Sequence, residues 1–270
     1  MEEKEMKKLL ALILTYATLL CCFAGCGTAN VGKGDWKNIE AAGEMVIGYT
    51  VYAPMNYEED GEFIGFDTEY AKAVCEKLGV EPKFIEIIWD TKEVDLAAKK
   101  MDCVWNGFTI TEEREEQLDF TKPYIKNRQV IVIRKDDAKK YTDTASLTAA
   151  KLTDEKSSTG EGAIQADENL KNATYVESDV QTSALMSVKA LTSDACVVDY
   201  TVASAMVGVG DYKDLTIIEG VELSGEEYGI GFRTGSDMVE KVNAATAELL
   251  ADGTLEKIAE KYDLEAILIK

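Results

Sequence analysis

The chain has 270 residues, 46% of them hydrophobic, and sets 50 acidic against 29 basic side chains, a formal net charge of −21. That length admits one large or two modest domains, and that apolar content excludes wholesale disorder. The charge argues against nucleic acid as a partner, and the complete lack of histidine excludes Ser-His-Asp and Cys-His catalysis and histidine zinc sites.

Met6-Lys7-Lys8 and the apolar stretch Leu9 to Leu20, with small residues Ala24 and Gly25 before Cys26, have the layout of a secretory signal peptide over residues 1–25. The apolar run is short for a membrane-spanning helix. Glu2, Glu3 and Glu5 are foreign to such a leader, so Met6 is a second candidate start. Phe23-Ala24-Gly25-Cys26 resembles a bacterial lipobox, which implies a lipid on Cys26 and a protein anchored to the outer face of a membrane. Residues 26–34 then read as a tether. The acids and bases before Cys26 cancel, so all of the −21 belongs to the mature chain.

Glu44 to Val51 is predicted as a strand, Glu58 to Gly61 as a hairpin tip, and Asp67 as the cap of a helix stopped by Gly79. Val80 to Ile88 follows as a strand, and Asp90-x-x-Glu93 opens a helix to Lys100 as a capping box. Met101 to Trp105 reads as a buried strand, and Asn106 to Thr109 as the loop after it. Gln129 to Ile133 is a very apolar strand, after which the pattern restarts. Helices open at Ser158 and Asp179, Ala195 to Val198 is a strand ending at Asp199, and Tyr228 to Phe232 is the last strand. Helices from Ser236 to Ala251 and from Thr254 to about Tyr262 close the chain. This β-α-β alternation predicts an α/β architecture with parallel strands, in two lobes joined by strands. Cys75, Cys103 and Cys196 stand in apolar surroundings as small buried hydrophobes, and no metal site or cofactor motif is legible.

Four features carry chemistry. Thr111 caps a short acidic helix bearing Arg114, which either pairs with neighbouring glutamates or offers its planar fork to a carboxylate. Ser158 and Thr159 at a helix start make either an ordinary cap or an anion seat of backbone N–H groups. Asp199 is either a cap or the partner of an ammonium. Tyr49, Tyr52 and Trp89, at or near strand ends, are either core or the walls of a pocket. Together, two devices for a carboxylate, one acid for an amine and flanking aromatics describe an α-amino acid.

Tyr52-Ala53-Pro54, Gly65-Phe66-Asp67, Trp89, Asp102 to Gly107, Thr109-x-Thr111-x-x-Arg114, Asp119 to Tyr124, Ser158-Thr159-Gly160, Asp194 to Asp199 and Tyr228 to Phe232 occur in this order. This ordered set, from about Glu44 to Tyr262, resembles extracellular solute-binding family 3, the substrate-binding lipoproteins of polar amino-acid ABC transporters. The resemblance implies a two-lobed type II periplasmic-binding-protein fold with two hinge crossovers and a ligand in the interlobe cleft. It places lobe 1 at 35–127 plus 228–270 and lobe 2 at 128–227. By the same resemblance, Arg114 grips the ligand carboxylate, with Thr159 and the N–H groups around Ser158 as its second contact. Asp199 holds the α-ammonium with the Gly107 carbonyl and the Thr109 hydroxyl, and Tyr52 and Trp89 sandwich the side chain. Tyr49 and Glu155 fall in the side-chain pocket. Ser157 departs from the family pattern, standing where relatives carry glycine.

The implied activity is non-enzymatic: a monomer, extracytoplasmic and lipid-anchored, that passes a free amino acid (glutamine-like, cystine or basic) to ABC permease subunits. A cyclohexadienyl or arogenate dehydratase on the same fold and a ligand-sensing receptor domain are the competing classes. Without histidine, binding is expected to be nearly flat between pH 6 and 8.

Overall fold

The structure, a computed structural model, describes residues 33–270. The expected signal peptide, Cys26 and all but the last two tether residues lie outside the described residues. In chain order, α1 (Asp35–Ala42) and β1 (Glu44–Tyr49) precede the hairpin β2 (Tyr57–Glu59) and β3 (Glu62–Ile64), then α2 (Phe66–Leu78) and β4 (Glu81–Glu86). Next come α3 (Lys92–Ala97), β5 (Cys103–Thr109), α4 (Glu112–Glu115), β6 (Leu118–Phe120) and the long β7 (Ile125–Arg134). β8 (Lys151–Glu155), α5 (Thr159–Ala166), β9 (Thr174–Ser178), α6 (Gln181–Lys189), β10 (Ala195–Asp199), α7 (Tyr200–Met206) and β11 (Leu215–Ile217) follow. The last elements are β12 (Gly225–Arg233), α8 (Met238–Ala251) and α9 (Thr254–Lys261). None of the described helices is long and apolar enough to cross a membrane.

The strands run in the order β4-β1-β5-β12-β7-β10-β8-β9. Parallel pairs β1–β4 and β1–β5 build one half, and parallel pairs β10–β8 and β8–β9 build the other. β7 and β12 are antiparallel partners of both halves, and they meet each other only from Ile125↔Tyr228 to Arg128↔Gly225. This is a two-lobed fold whose crossovers are two paired strands, because β7 and β12 are each long enough to serve a different half at each end.

Both halves obey the usual α/β logic, in which strands covered on two faces become continuous apolar runs. β5 and β10 are buried along their whole length. Trp105, with no solvent exposure, stands at right angles to Tyr70 of α2 at 4.9 Å, and Phe66 stacks on Tyr124. Large apolar side chains of this kind each contribute on the order of 1.5–3 kcal/mol when removed from water. Cys75, Cys103 and Cys196 are free and buried among them.

Three acids read as helix caps do not cap. Gly65, not Asp67, precedes α2, and the Asp67 carboxylate turns inward to other partners. A short 3-10 turn over Trp89–Thr91 precedes α3, and Asp90 caps nothing there. Val180 precedes α6 without a side-chain cap, leaving Asp179 uninvolved. Asn106 to Thr109, expected as a loop, is the continuation of β5, since β12 pairs Tyr228 with Thr109 and Gly229 with Phe108.

Candidate functional site

The ends of β5, β8 and β10 and the turns after them converge on one narrow cavity. Its walls are Tyr52, Trp89, Asn106, Gly107, Thr109 and Arg114 from one half, and Glu155, Ser158, Thr159, Gln181 and Asp199 from the other. All eight residues of the expected binding set therefore share one space, together with Glu155. Tyr49 does not join them. Its ring packs on Phe63 at 4.7 Å and edge-on to Phe84 at 6.2 Å, because strand alternation points residue 49 away from the cleft.

Arg114 owes its position to a one-turn helix. The Thr111 hydroxyl accepts from the Arg114 backbone N–H at 3.2 Å, and the guanidinium folds back to donate to Thr109 O at 2.7 Å. It lies over the Phe108 ring, 4.6 Å from its centre, and reaches toward Ser157 O of the other half at 3.5 Å. Planar, charged and stacked, it keeps donors of its fork available for a carboxylate. Opposite it, the Ser158 hydroxyl accepts from Gly160 N and Glu161 N and caps α5. Arg114 and the start of α5 thus face one another across the cavity as two anion-attracting devices.

Asp199 is 5% exposed and held by amides alone. Gln181 Nε2 donates to its Oδ2 at 2.5 Å, Asn127 Nδ2 to its Oδ1 at 2.8 Å, and Gln129 Nε2 also to Oδ1. Burial first, and then the nearby Glu226, push its carboxyl up to about 6. Glu155, 4% exposed, makes no side-chain hydrogen bond to any described residue, and burial followed by the Asp199 charge pushes it up to about 8. The expectation of pH-flat binding took no account of these two buried carboxyls. Ordinary carboxyls titrate near 4, and desolvation supplies what the missing histidine does not.

The aromatic walls are fixed from behind. Tyr52 donates to Asn106 O at 3.1 Å and lies against Gly107, whose φ is +54 and where a Cβ would come within 1.8 Å of the Tyr52 hydroxyl. Only glycine serves there. Trp89 meets Phe108 edge-on at 5.3 Å, with the buried Lys92 ammonium 4.6 Å over its ring. Its indole Nε1 has no partner among the described residues.

A family model for bacterial extracellular solute-binding proteins, family 3, matches residues 45–265. The chain belongs to this family. Among its relatives, the L-cystine-binding protein TcyJ of Escherichia coli K12 is 29% identical over 85% of this chain and 86% of its own length. The arginine-binding extracellular protein ArtP of Bacillus subtilis is 27% identical over 95% and 98%. Among solved structures, the ancestral amino acid-binding protein AncCDT-1, a precursor of cyclohexadienyl dehydratase, aligns with a TM-score of 0.78 at 28% identity, covering 84% of this chain and 99% of its own.

Several residues of this solute-binding protein's cleft were not singled out from the sequence as site residues, although Asp67 and Asn106 fall within its ordered motifs. Asp67 accepts from Gly107 N at 2.6 Å and from the Tyr124 hydroxyl at 2.8 Å, and so holds the backbone that faces the cavity; burial pushes it up to about 7. Asn106 binds Thr50 N and Asn56 Nδ2 and ties the strand ends of that half together. Asn127 and Gln129 did leave a signal. They are polar residues two apart at the start of an apolar strand, hence on one face, and both point at Asp199. Glu226, half-buried on β12, hides in the ordinary-looking pair Glu226-Glu227.

Proposed function

We propose that this protein binds an α-amino acid carrying a second positive group, a basic amino acid or cystine, between its lobes and delivers it to an ABC importer. The observation that carries the class of ligand is Glu155: a carboxyl 4% exposed, without a hydrogen-bond partner among the described residues, lining the same cavity as Arg114 and Asp199. A zwitterion uses Arg114 for its carboxylate and Asp199 for its ammonium, with Gly107, Thr109, Ser158 and Thr159 as further contacts and Tyr52 and Trp89 flanking the side chain. That leaves Glu155 for a third charge, and burying an unpaired carboxylate is costly enough that a cationic partner there gives selectivity. The arginine- and cystine-binding relatives support this reading. Glutamine-like ligands lack the group that Glu155 requires.

The lobe assignment, 35–127 plus 228–270 and 128–227, is supported by the short β7–β12 pairing that brackets both boundaries. Lipid anchoring through Cys26, on the outer face of the membrane, rests on the lipobox-like segment alone. A thermal-shift screen of the twenty amino acids with cystine and ornithine tests the ligand class. Arginine, lysine, ornithine or cystine gives the largest shift, about 2.7 kcal/mol of stabilisation at 100 times Kd; glutamine or glutamate leading the screen removes the assignment of Glu155. A dehydratase needs a proton donor in the cleft, and Glu155 is held where it keeps its proton to about pH 8. Formation of phenylalanine from arogenate by the purified protein is the outcome that replaces binding with catalysis.

A further inference from the structure

β12 brings a second carboxylate to Asp199. Glu226 Oε2 accepts from Asn127 Nδ2 at 2.9 Å and from Gln129 Nε2 at 3.1 Å, the same two amide groups that serve Asp199 Oδ1. Thr109, at the other edge of the cavity, donates its hydroxyl to Glu226 Oε2 at 3.1 Å, and Ser224 donates to Oε1 at 3.2 Å. Glu226 also lines the wider groove onto which Thr109, Arg114, Ser158 and Thr159 face. We propose that Glu226 is the second carboxylate of the ammonium seat, a specificity-determining residue that with Asp199 makes a protonated amine obligatory at the ligand's α-nitrogen. This inference rests on the amino-acid reading above.

Two counts support it. The first is of donors. The Gln129 amide has two hydrogens and three acceptors within reach, Asp199, Glu226 and Thr159, and the Asn127 amide is divided between the same two acids, so Asp199 and Glu226 compete for shared neutral donors. An ammonium brings three N–H groups. The second is of charge. The groups facing the pair are Glu155 from β8, Arg114 from α4 and the hydroxyls of Tyr52 and Tyr228, with Asp67 behind Tyr52 and the buried Lys92–Glu93 pair beyond Arg114. Arg114 is committed to a carboxylate in the proposed complex, so no protein cation remains for both Asp199 and Glu226. Like charges sharing one site hold a proton until a cation displaces it. Glu226 stands next to Asp199 as one such charge, which agrees with the direction in which the Asp199 carboxyl is pushed.

The test is calorimetric, with L-arginine and L-cystine as probes, on wild type, Glu226→Gln, Glu226→Asp and Asp199→Asn at pH 5.5 and 7.5. For whichever probe binds wild type, Glu226→Gln raises Kd tenfold or more and reduces the difference between the two pH values, because Asp199 then titrates lower. Glu226→Asp, which keeps the charge, stays within about threefold and retains the wild-type pH difference. Glu226→Gln within twofold of wild type, while Asp199→Asn has lost binding, overturns the role of Glu226 and leaves the amino-acid reading intact. Equal losses in both Glu226 variants with an unchanged pH difference reduce it to a structural residue and overturn the proposal. A wild type that binds neither probe overturns both.

Discussion

Ser157 Oγ donates a 2.6 Å hydrogen bond to Asp90 Oδ1, joining the turn after β8 of one half to the 3-10 turn before α3 of the other. The same carboxylate receives Lys156 Nζ at 3.1 Å, so two adjacent residues of one lobe grip a single acid of the other at the cleft rim. Ser157 does this from a left-handed backbone, φ +58, where relatives were expected to carry glycine. The conformation costs a non-glycine residue about 1 kcal/mol or more. A hydrogen bond to a charged acceptor contributes about 1.5–3 kcal/mol when well screened from water and less at an exposed rim.

Ser157→Gly therefore relieves the backbone and deletes the cross-cleft bond together. Its thermal stability is expected to change little, while ligand release measured by stopped flow quickens by about three- to tenfold, the equivalent of about 1 kcal/mol. Asp90→Asn should do the same and add a weaker dependence of release on salt, since the Lys156 pair is exposed. Release rates unchanged in both variants would show that the rim contact does not hold the lobes together.

Arg114→Ala should weaken binding by about 2–5 kcal/mol, the range for losing one partner of a desolvated charge pair. Arg114→Lys should recover little, because a lysine cannot reproduce the fork that also holds Thr109 O and stacks on Phe108. Calorimetry showing less than a twofold loss for Arg114→Ala would take the ligand carboxylate away from this residue.

Binding should strengthen with pH across the range in which the sequence suggested no change. Glu155 is held up to about 8, and a cationic ligand group competes with its proton. Affinity for a dibasic ligand should rise about three- to tenfold from pH 6 to pH 8, less than the one decade per unit that a single displaced proton allows. Glu155→Gln should flatten the profile and lower affinity at pH 8. A wild-type Kd constant over that range would mean Glu155 faces no cation.

Stability of the ligand-free protein should run the other way. Asp67 at about 7, Asp154, a buried β8 acid bound by the Tyr175 hydroxyl, also at about 7, Asp199 at about 6 and Glu155 at about 8 all lie above their unfolded values. The folded chain thus keeps protons that the unfolded chain gives up. Stability from these groups is fully present below about pH 4 and is lost as pH rises through 6 to 8. Melting temperature should be several degrees higher at pH 5.5 than at pH 8, and Glu155→Gln should narrow the gap. A melting temperature that rises with pH would contradict these environments.

Gly107→Ala should disturb the site more than the fold. The new Cβ requires φ +54 of an alanine and meets the Tyr52 hydroxyl, so the ring must leave Asn106 O. A loss of about 1–3 kcal/mol in stability is expected from the backbone, with ligand affinity reduced further by the displaced aromatic wall. Denaturant unfolding and calorimetry on the same variant separate the two.

Much of this architecture was legible in the sequence because apolar strands and their helices leave periodic marks. β5 and β10 announce themselves as unbroken buried runs, and Thr111 and Ser158 cap the helices they were expected to cap. Acids were harder. Asp67, Asp90 and Asp179 all stand near helix starts, and an acid that caps looks the same in sequence as one that reaches to Gly107 or across to Ser157. What decides between them is tertiary proximity, which no local spacing encodes. Tyr49 failed for a simpler reason: on a strand one residue decides the face, and residue 49 faces Phe63 and Phe84. Glu226 was invisible because its partners, Thr109 on β5 and Asn127 and Gln129 on β7, come from two stretches distant from it in sequence.

The register Asn127↔Glu226 sets both residues within the short strand pair that joins the two halves. Atoms close to a pivot travel least when the arms around it swing. Asn127 and Glu226 are accordingly expected to keep their spacing if the lobes open and close, whereas Arg114 and the start of α5, held on different lobes, are expected to separate. On the proposed assignment of the site, an arriving amino acid should find its amine berth ready-made and its acid berth half-built. It should dock nitrogen first, and the last contact made, between its carboxylate and the second lobe, is the one that shuts the door.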